Sequence, residues 1–149
     1  MVNFRGTILG GMLAGVLAIS ACSMMPAASR AANVSATLSG ASEVPPGTSS
    51  ATGTLQASVN KDSNLLSWTV TYSGLSGPAT GGHFHGPAMA GSNAGVVVPF
   101  AGSRASPIKG SATLTAAQMA DLMAGKWYVN LHTAASPGGE IRGQVRVTP

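Results

Sequence analysis

From Ala51 to Tyr72 apolar and polar side chains alternate with a period of two. A chain written that way forms strands, because successive side chains of an extended backbone point to opposite faces. Ala51, Gly53, Leu55, Ala57 and Val59 fall on one face, and Thr52, Thr54, Gln56 and Ser58 on the other. After Asn60-Lys61-Asp62-Ser63 the pattern resumes with Leu66, Trp68, Val70 and Tyr72 against Ser67, Thr69 and Thr71. Two such runs joined by a short polar turn predict an antiparallel hairpin with one face on a core and the other in water.

The rest of the chain keeps this pattern. Gly74 to Pro78 turns the backbone and His83 to His85 follows as a short strand. Gly86 to Gly95 is a loop. Val96-Val97-Val98-Pro99-Phe100 reads as a buried strand whose proline sits at an edge or a bulge, and Lys109 to Leu114 reads as another strand. The one helix signal covers about 115–124, where Thr115-Ala116-Ala117-Gln118 fits a capping box and Gly125 a terminating glycine. Leu114 and Met119 are placed as a hydrophobic staple. Met119, Leu122 and Met123 form its apolar side, and their helical spacing favours core packing over a soft-metal site. Trp127, Val129 and Leu131 then alternate with Tyr128, Asn130 and His132. After the turn Ser136-Pro137-Gly138-Gly139, Glu140 to Val147 supplies the last strand. The prediction is an all-β protein, a Greek-key β-sandwich or flattened barrel of about 7–8 antiparallel strands with one short helix.

The first 21 residues do not belong to that domain. Arg5 precedes Ile8 to Ile19, an apolar run broken only by glycine and too short to span a bilayer comfortably, and the segment ends in small residues as an export signal does. Ile19-Ser20-Ala21-Cys22 resembles the lipobox of bacterial lipoproteins, which implies cleavage before Cys22 and lipid on that cysteine. Cys22 is the only cysteine, so it has no partner for an intrachain disulfide. Ser23, where an aspartate would retain the protein at the inner membrane, implies an outer-membrane anchor facing the periplasm, or the cell surface. The competing reading is an ordinary signal peptide cut after Ala31 or Ala32. Residues 22–32 form an Ala, Ser and Pro tether, and residues 33–149 form one domain.

The mature chain carries seven cations against the four acids Glu43, Asp62, Asp121 and Glu140. The cations are scattered and not interleaved with aromatics, so the pI of 9.9 reflects scarce acids and argues against nucleic acid as a partner. No sequence-close pair of acids and no activated Ser or Cys motif points to hydrolytic catalysis, so no catalytic residue is assigned.

His83 and His85 stand out in a chain with three histidines. At i and i+2 on a strand they share a face, about 7 Å apart at the backbone, and Phe84 between them faces a core. Two such imidazoles converge on one ion at about 2 Å. The flanking Gly81, Gly82 and Gly86 leave room for the ion, and His132 is the one remaining histidine to complete a set of three. Such a site favours copper, with zinc next, by the Irving–Williams order. Its affinity should fall below about pH 6 as imidazole protonates. The alternative is that each histidine is a neutral strand residue bonded to backbone.

Gly82-His83-Phe84-His85-Gly86-Pro87, Leu114-Thr115-Ala116-Ala117-Gln118, Tyr128-Val129-Asn130-Leu131-His132-Thr133 and Gly138-Gly139-Glu140-Ile141-Arg142-Gly143-Gln144 together resemble the CHRD domain, named from chordin. The match runs in order over about Val34 to Val147. It implies the fold but no activity, and chordin's growth-factor binding does not transfer on fold alone. The histidine order and the glycine-rich turn leading to Arg142 are also distantly similar to copper/zinc superoxide dismutase. The bridging histidine, zinc ligands and disulfide of that family have no counterparts here, so the similarity implies at most weak redox activity. Arg142 would be either its anion-guiding arginine or half of a structural ion pair with Glu140, and the pair is preferred. Two function classes follow: a membrane-tethered metal buffer or carrier, and an envelope interaction module whose histidines serve the fold.

Overall fold

The computed structural model describes residues 1–3 and 30–148. Cys22, the apolar run Ile8–Ile19 and the tether up to residue 29 lie outside the described residues. Among the described residues nine strands form in the order β1 (Ala31–Ser39), β2 (Thr52–Asn60), β3 (Leu65–Ser73), β4 (Ala79–His85), β5 (Val96–Pro99), β6 (Ile108–Thr113), then helix α1 (Ala116–Met123), β7 (Tyr128–Thr133), β8 (Ile141–Gln144) and β9 (Arg146–Thr148). They make one antiparallel sheet in the order β5-β4-β7-β8-β1-β2-β3-β6, with β9 alongside β1. Eight strands thus wrap into a nearly closed barrel. The chain leaves β3 for β4 on the far side, makes the hairpin β4–β5 and returns to β6 beside β3, which is the Greek-key crossing expected from the sequence.

The alternation works as predicted. In β1 exposed and buried residues alternate without a break from Ala31 to Leu38, and Leu55, Val59, Leu66, Trp68 and Val70 of the β2–β3 hairpin point into the core. The two halves of the barrel meet through aromatic rings. Trp68 of β3 lies edge-on to Phe84 of β4 at 5.3 Å and stacks on Phe100 at 5.4 Å. Pro99 sits on β5, an end strand of the sheet, where its missing N–H is not needed. The capping box forms, with Gln118 N donating to Thr115 Oγ1 and Thr115 N donating to Gln118 Oε1. Gly125 ends the helix at φ +69°. Of the three apolar helix residues only Leu122 is fully inside, and Met123 reaches solvent.

Two boundaries differ from expectation. Strand β1 begins at Ala31, two residues before the domain start expected at 33, with Ala31 and Ala32 paired to Asn60 and Val59. A signal cleavage after Ala31 or Ala32 would cut into this strand. The last strand is also split: Val145 N donates to Trp127 O, which leaves β8 on β7 and carries β9 over to β1.

Candidate metal centre

Strands β4 and β7 run antiparallel with His85 opposite Tyr128, His83 opposite Asn130 and Gly81 opposite His132. Phe84, Val129 and Leu131 therefore point inward, and His83, His85, Tyr128, Asn130 and His132 share the outer face. One ring nitrogen from each of the three histidines lies within 4.8 Å of the other two. His83 Nδ1 and His132 Nε2 are 3.2 Å apart. Two nitrogens bound to one tetrahedral ion at about 2.0 Å sit roughly 3.3 Å apart, so this pair already has the spacing of two ligands. The widest pair would close by at most roughly 1.5 Å.

Backbone carbonyls orient two of the rings. His85 Nδ1 is 3.0 Å from Ala94 O, and His132 Nδ1 is 2.9 Å from Pro137 O. A carbonyl only accepts, so each Nδ1 carries the proton and each Nε2 presents its lone pair. This is how metal-binding imidazoles are commonly held, with the far N–H donated to backbone. His85 Nε2 is buried and has no hydrogen-bond partner. His132 Nε2 lies 3.2 Å from His83 Nδ1, which donates to it when the His83 proton is on Nδ1, and 3.0 Å from Asn130 Oδ1, which only accepts. His85 Nε2 and His132 Nε2 thus both offer lone pairs within the three-histidine cluster.

Loops cover part of the outer face: His85, Tyr128, Asn130 and Arg142 are buried, and His83 and His132 are partly exposed. In the loop after β4, Ala94 O accepts from His85 and Ala94 N donates to Tyr128 Oη. Arg142 of β8 donates to Asn93 Oδ1 at 2.8 Å and to Ser92 O at 2.5 Å. Asn93 Nδ2 in turn donates to Val44 O in the loop after β1. Tyr128 is sandwiched: the His85 ring lies parallel to it at 4.7 Å from the β4 side, and the Arg142 guanidinium lies 3.4 Å from its centroid on the β8 side.

The expected Glu140–Arg142 ion pair does not form. Glu140 is turned away, and its carboxylate accepts from Ser49 Oγ, Ser76 N, Ser76 Oγ and Thr133 Oγ1 at 2.6–2.9 Å. Arg142, 2% exposed, is filled by the loop after β4 and by Tyr128, so it is not available to guide an anion either. Its nearest carboxylate influence is Glu43. The glycines also serve differently from expectation. A side chain at Gly82 would meet Phe100 at 2.6 Å and one at Gly86 would meet Trp127 at 2.5 Å, so both make room for core rings. Only Gly81 borders the imidazoles, with His83 Cε1 at 3.3 Å from where its Cβ would be.

Burial pushes the His83 pKa down to about 4, with the neighbouring His132, His85 and Arg104 adding to the effect. Burial also lowers His85, against the opposing hydrogen bond to Ala94 O and the nearby Asn130 side chain, both of which raise it. Proton competition at His83 therefore begins near pH 4 and not at the pH 6 expected for a free imidazole. The same shift predicts acid sensitivity of the metal-free protein. The unfolded chain, at the ordinary 6.5, binds the proton more tightly than the folded one, so stability is full above about pH 6.5 and is lost as pH falls toward 4. Glu43, raised by burial, acts in the opposite sense. Melting temperature followed from pH 7 to pH 4 should fall, and the fall should be smaller in His83→Gln. An equal fall in both would refute this.

Tyr128 and Asn130 could have been added to the site from sequence, since period two puts them on the face of His132. Glu43 carries no such signal, as it comes from a loop that reaches the site only through the fold. A model of the CHRD domain family matches residues 34–145. No curated protein and no solved structure matches the chain significantly. With the family model spanning the whole barrel from β1 to the end of β8, and all three histidines inside it, the chain belongs to the CHRD domain family.

Proposed function

We propose that this chain is an exported, membrane-tethered CHRD domain that holds one transition-metal ion on His83, His85 and His132, as a buffer or carrier. The observation that carries this reading is His85 Nε2, a buried lone pair without a protein partner, in a cluster where two other imidazoles offer nitrogens within 4.8 Å. Leaving a polar atom buried and unpaired costs about 1–3 kcal/mol, and a bound cation removes that cost. Copper is favoured over zinc because neutral nitrogen donors follow the Irving–Williams order. A bound ion would supply a Lewis-acidic centre, and the protein's part is to orient the rings and cover them with the loop after β4. Calorimetric titration of full-length protein with Cu(II) and Zn(II) should show one saturable site tighter than micromolar. No such site would leave the interaction-module reading as the better one.

The tether rests on the resemblance of Ile19-Ser20-Ala21-Cys22 to a lipobox. Full-length protein should partition with membranes, and Cys22→Ser should be released or keep its uncleaved signal. Recovery of mature protein beginning near Ala32, at normal yield from the Cys22→Ser chain, would refute the anchor.

A further inference from the structure

We infer that Asn130 completes this site as its fourth donor, through Oδ1, with Glu43 holding the carboxamide in the donating orientation. The inference rests on the three-histidine reading and adds an oxygen ligand and a buried acid to it. Asn130 is 3% exposed and stands on β7 opposite both His83 of β4 and Arg142 of β8, in the middle of the covered face. Its Oδ1 lies 3.0 Å from His132 Nε2. That nitrogen has no proton to give, because the ring's proton is on Nδ1 against Pro137 O. Two lone pairs at hydrogen-bond distance repel, and a cation shared between them turns the contact into an attraction.

The amide's other end fixes its direction. A side chain at Gly139 would come within 2.5 Å of Glu43 Oε1 and 2.8 Å of Asn130 Nδ2, so these two groups lie together in the space that this glycine leaves open. A carboxylate accepts only, so it takes the NH₂ end and directs Oδ1 toward the imidazoles. Glu43 Oε1 is buried with no partner at full hydrogen-bond geometry, and the Asn130 side chain beside it favours its charged form. Turning the amide over would set Oδ1 against the carboxylate and leave both oxygens unpaired. The donor set is then three imidazoles and one amide oxygen, all neutral, with the Glu43 carboxylate behind them to offset the charge of a divalent ion. Three nitrogens and one oxygen fit four-coordinate Zn(II) or Cu(II).

Full-length protein titrated with Co(II) and Zn(II) tests this. Wild type should give the intense visible bands of four-coordinate Co(II) at one equivalent. Asn130→Ala should bind roughly 10–100-fold more weakly with a weakened spectrum, whereas Asn130→Asp, which keeps an oxygen there, should keep the spectrum. If Asn130→Ala fails to fold, a crystal structure of Zn(II)-loaded wild type decides, with the amide oxygen expected at about 2.0–2.2 Å from the metal. An unchanged affinity and spectrum in folded Asn130→Ala, or an amide oxygen beyond about 3 Å of the bound ion, would overturn the fourth donor while leaving the three-histidine site intact. A wild type that takes up none of Co(II), Zn(II) and Cu(II) would overturn both.

Discussion

Full-length protein carrying both His83→Ala and His85→Ala is expected to bind Cu(II) and Zn(II) about 10⁴-fold more weakly than wild type. Structural four-ligand zinc sites are worth about 10–16 kcal/mol, or roughly 3 kcal/mol per ligand, which is on the order of a hundredfold in affinity for each imidazole removed. The single changes, His132→Ala included, should each show the hundredfold loss. The same argument predicts a thermal readout. Metal at about 100 times its Kd stabilises the native state by about 2.7 kcal/mol, which for a domain of this size raises Tm by roughly 10 °C. That increase should be absent from the double variant. His83, His85 and His132 lie on the outer face of the barrel, so the β-sheet signature in circular dichroism should survive. Wild-type affinity in the folded double variant would place the metal elsewhere on the protein.

Replacing Glu140 should be the most damaging single change outside the core. Its carboxylate, 3% exposed, accepts four hydrogen bonds from three separate segments. Ser49 belongs to the connection before β2, Ser76 to the connection between β3 and β4, and Thr133 to the end of β7. Glu140→Ala leaves buried Thr133 Oγ1 without its acceptor, at about 1–3 kcal/mol, while the part-buried Ser49 and Ser76 donors can turn to water but lose a charged partner, so a loss of about 3–4 kcal/mol is expected. Glu140→Gln should lose less, about 2 kcal/mol. Its amide can face Ser76 Oγ and Thr133 Oγ1, whose hydroxyls can turn to accept, and only the charge assistance is lost.

Acid separates the two effects. Burial raises the Glu140 pKa, but the hydrogen bonds from Ser76, Thr133 and Ser49 outweigh it and bring it down to about 2. The folded value lies below the ordinary 4.5, so this stability is present above pH 4.5 and is lost as pH falls toward 2. Denaturant titrations of wild type and Glu140→Gln should converge across that window. A constant gap down to pH 2 would contradict this account. The window lies below that of His83, so the two groups can be read apart in one pH series.

What the sequence determined by itself is local. A period of two fixes where a side chain points relative to its own strand. That was enough to place Trp68 and Phe84 inside, His83 and His85 on one face, and Tyr128, Asn130 and His132 together on another strand's polar face. The capping box and Gly125 set the ends of α1 in the same way, through atoms no more than a few residues apart. Partners across the fold are a different matter. Spacing made Glu140 and Arg142 look like a pair on one strand face, yet their partners are Ser49, Ser76 and Thr133 for one and Ser92, Asn93 and Tyr128 for the other. Most of these lie many residues away on loops that sequence periodicity does not describe. The same holds for the room at Gly82 and Gly86, which Phe100 and Trp127 take, and for Glu43 beside Asn130. Strand polarity predicted a solvated outer face. The tertiary structure buried its His85, Tyr128, Asn130 and Arg142 part under the loops after β1 and β4, because hydrogen-bonding loop backbone to that polar face satisfies both at once, and the loss of solvent lowers the pKa values of His83 and His85.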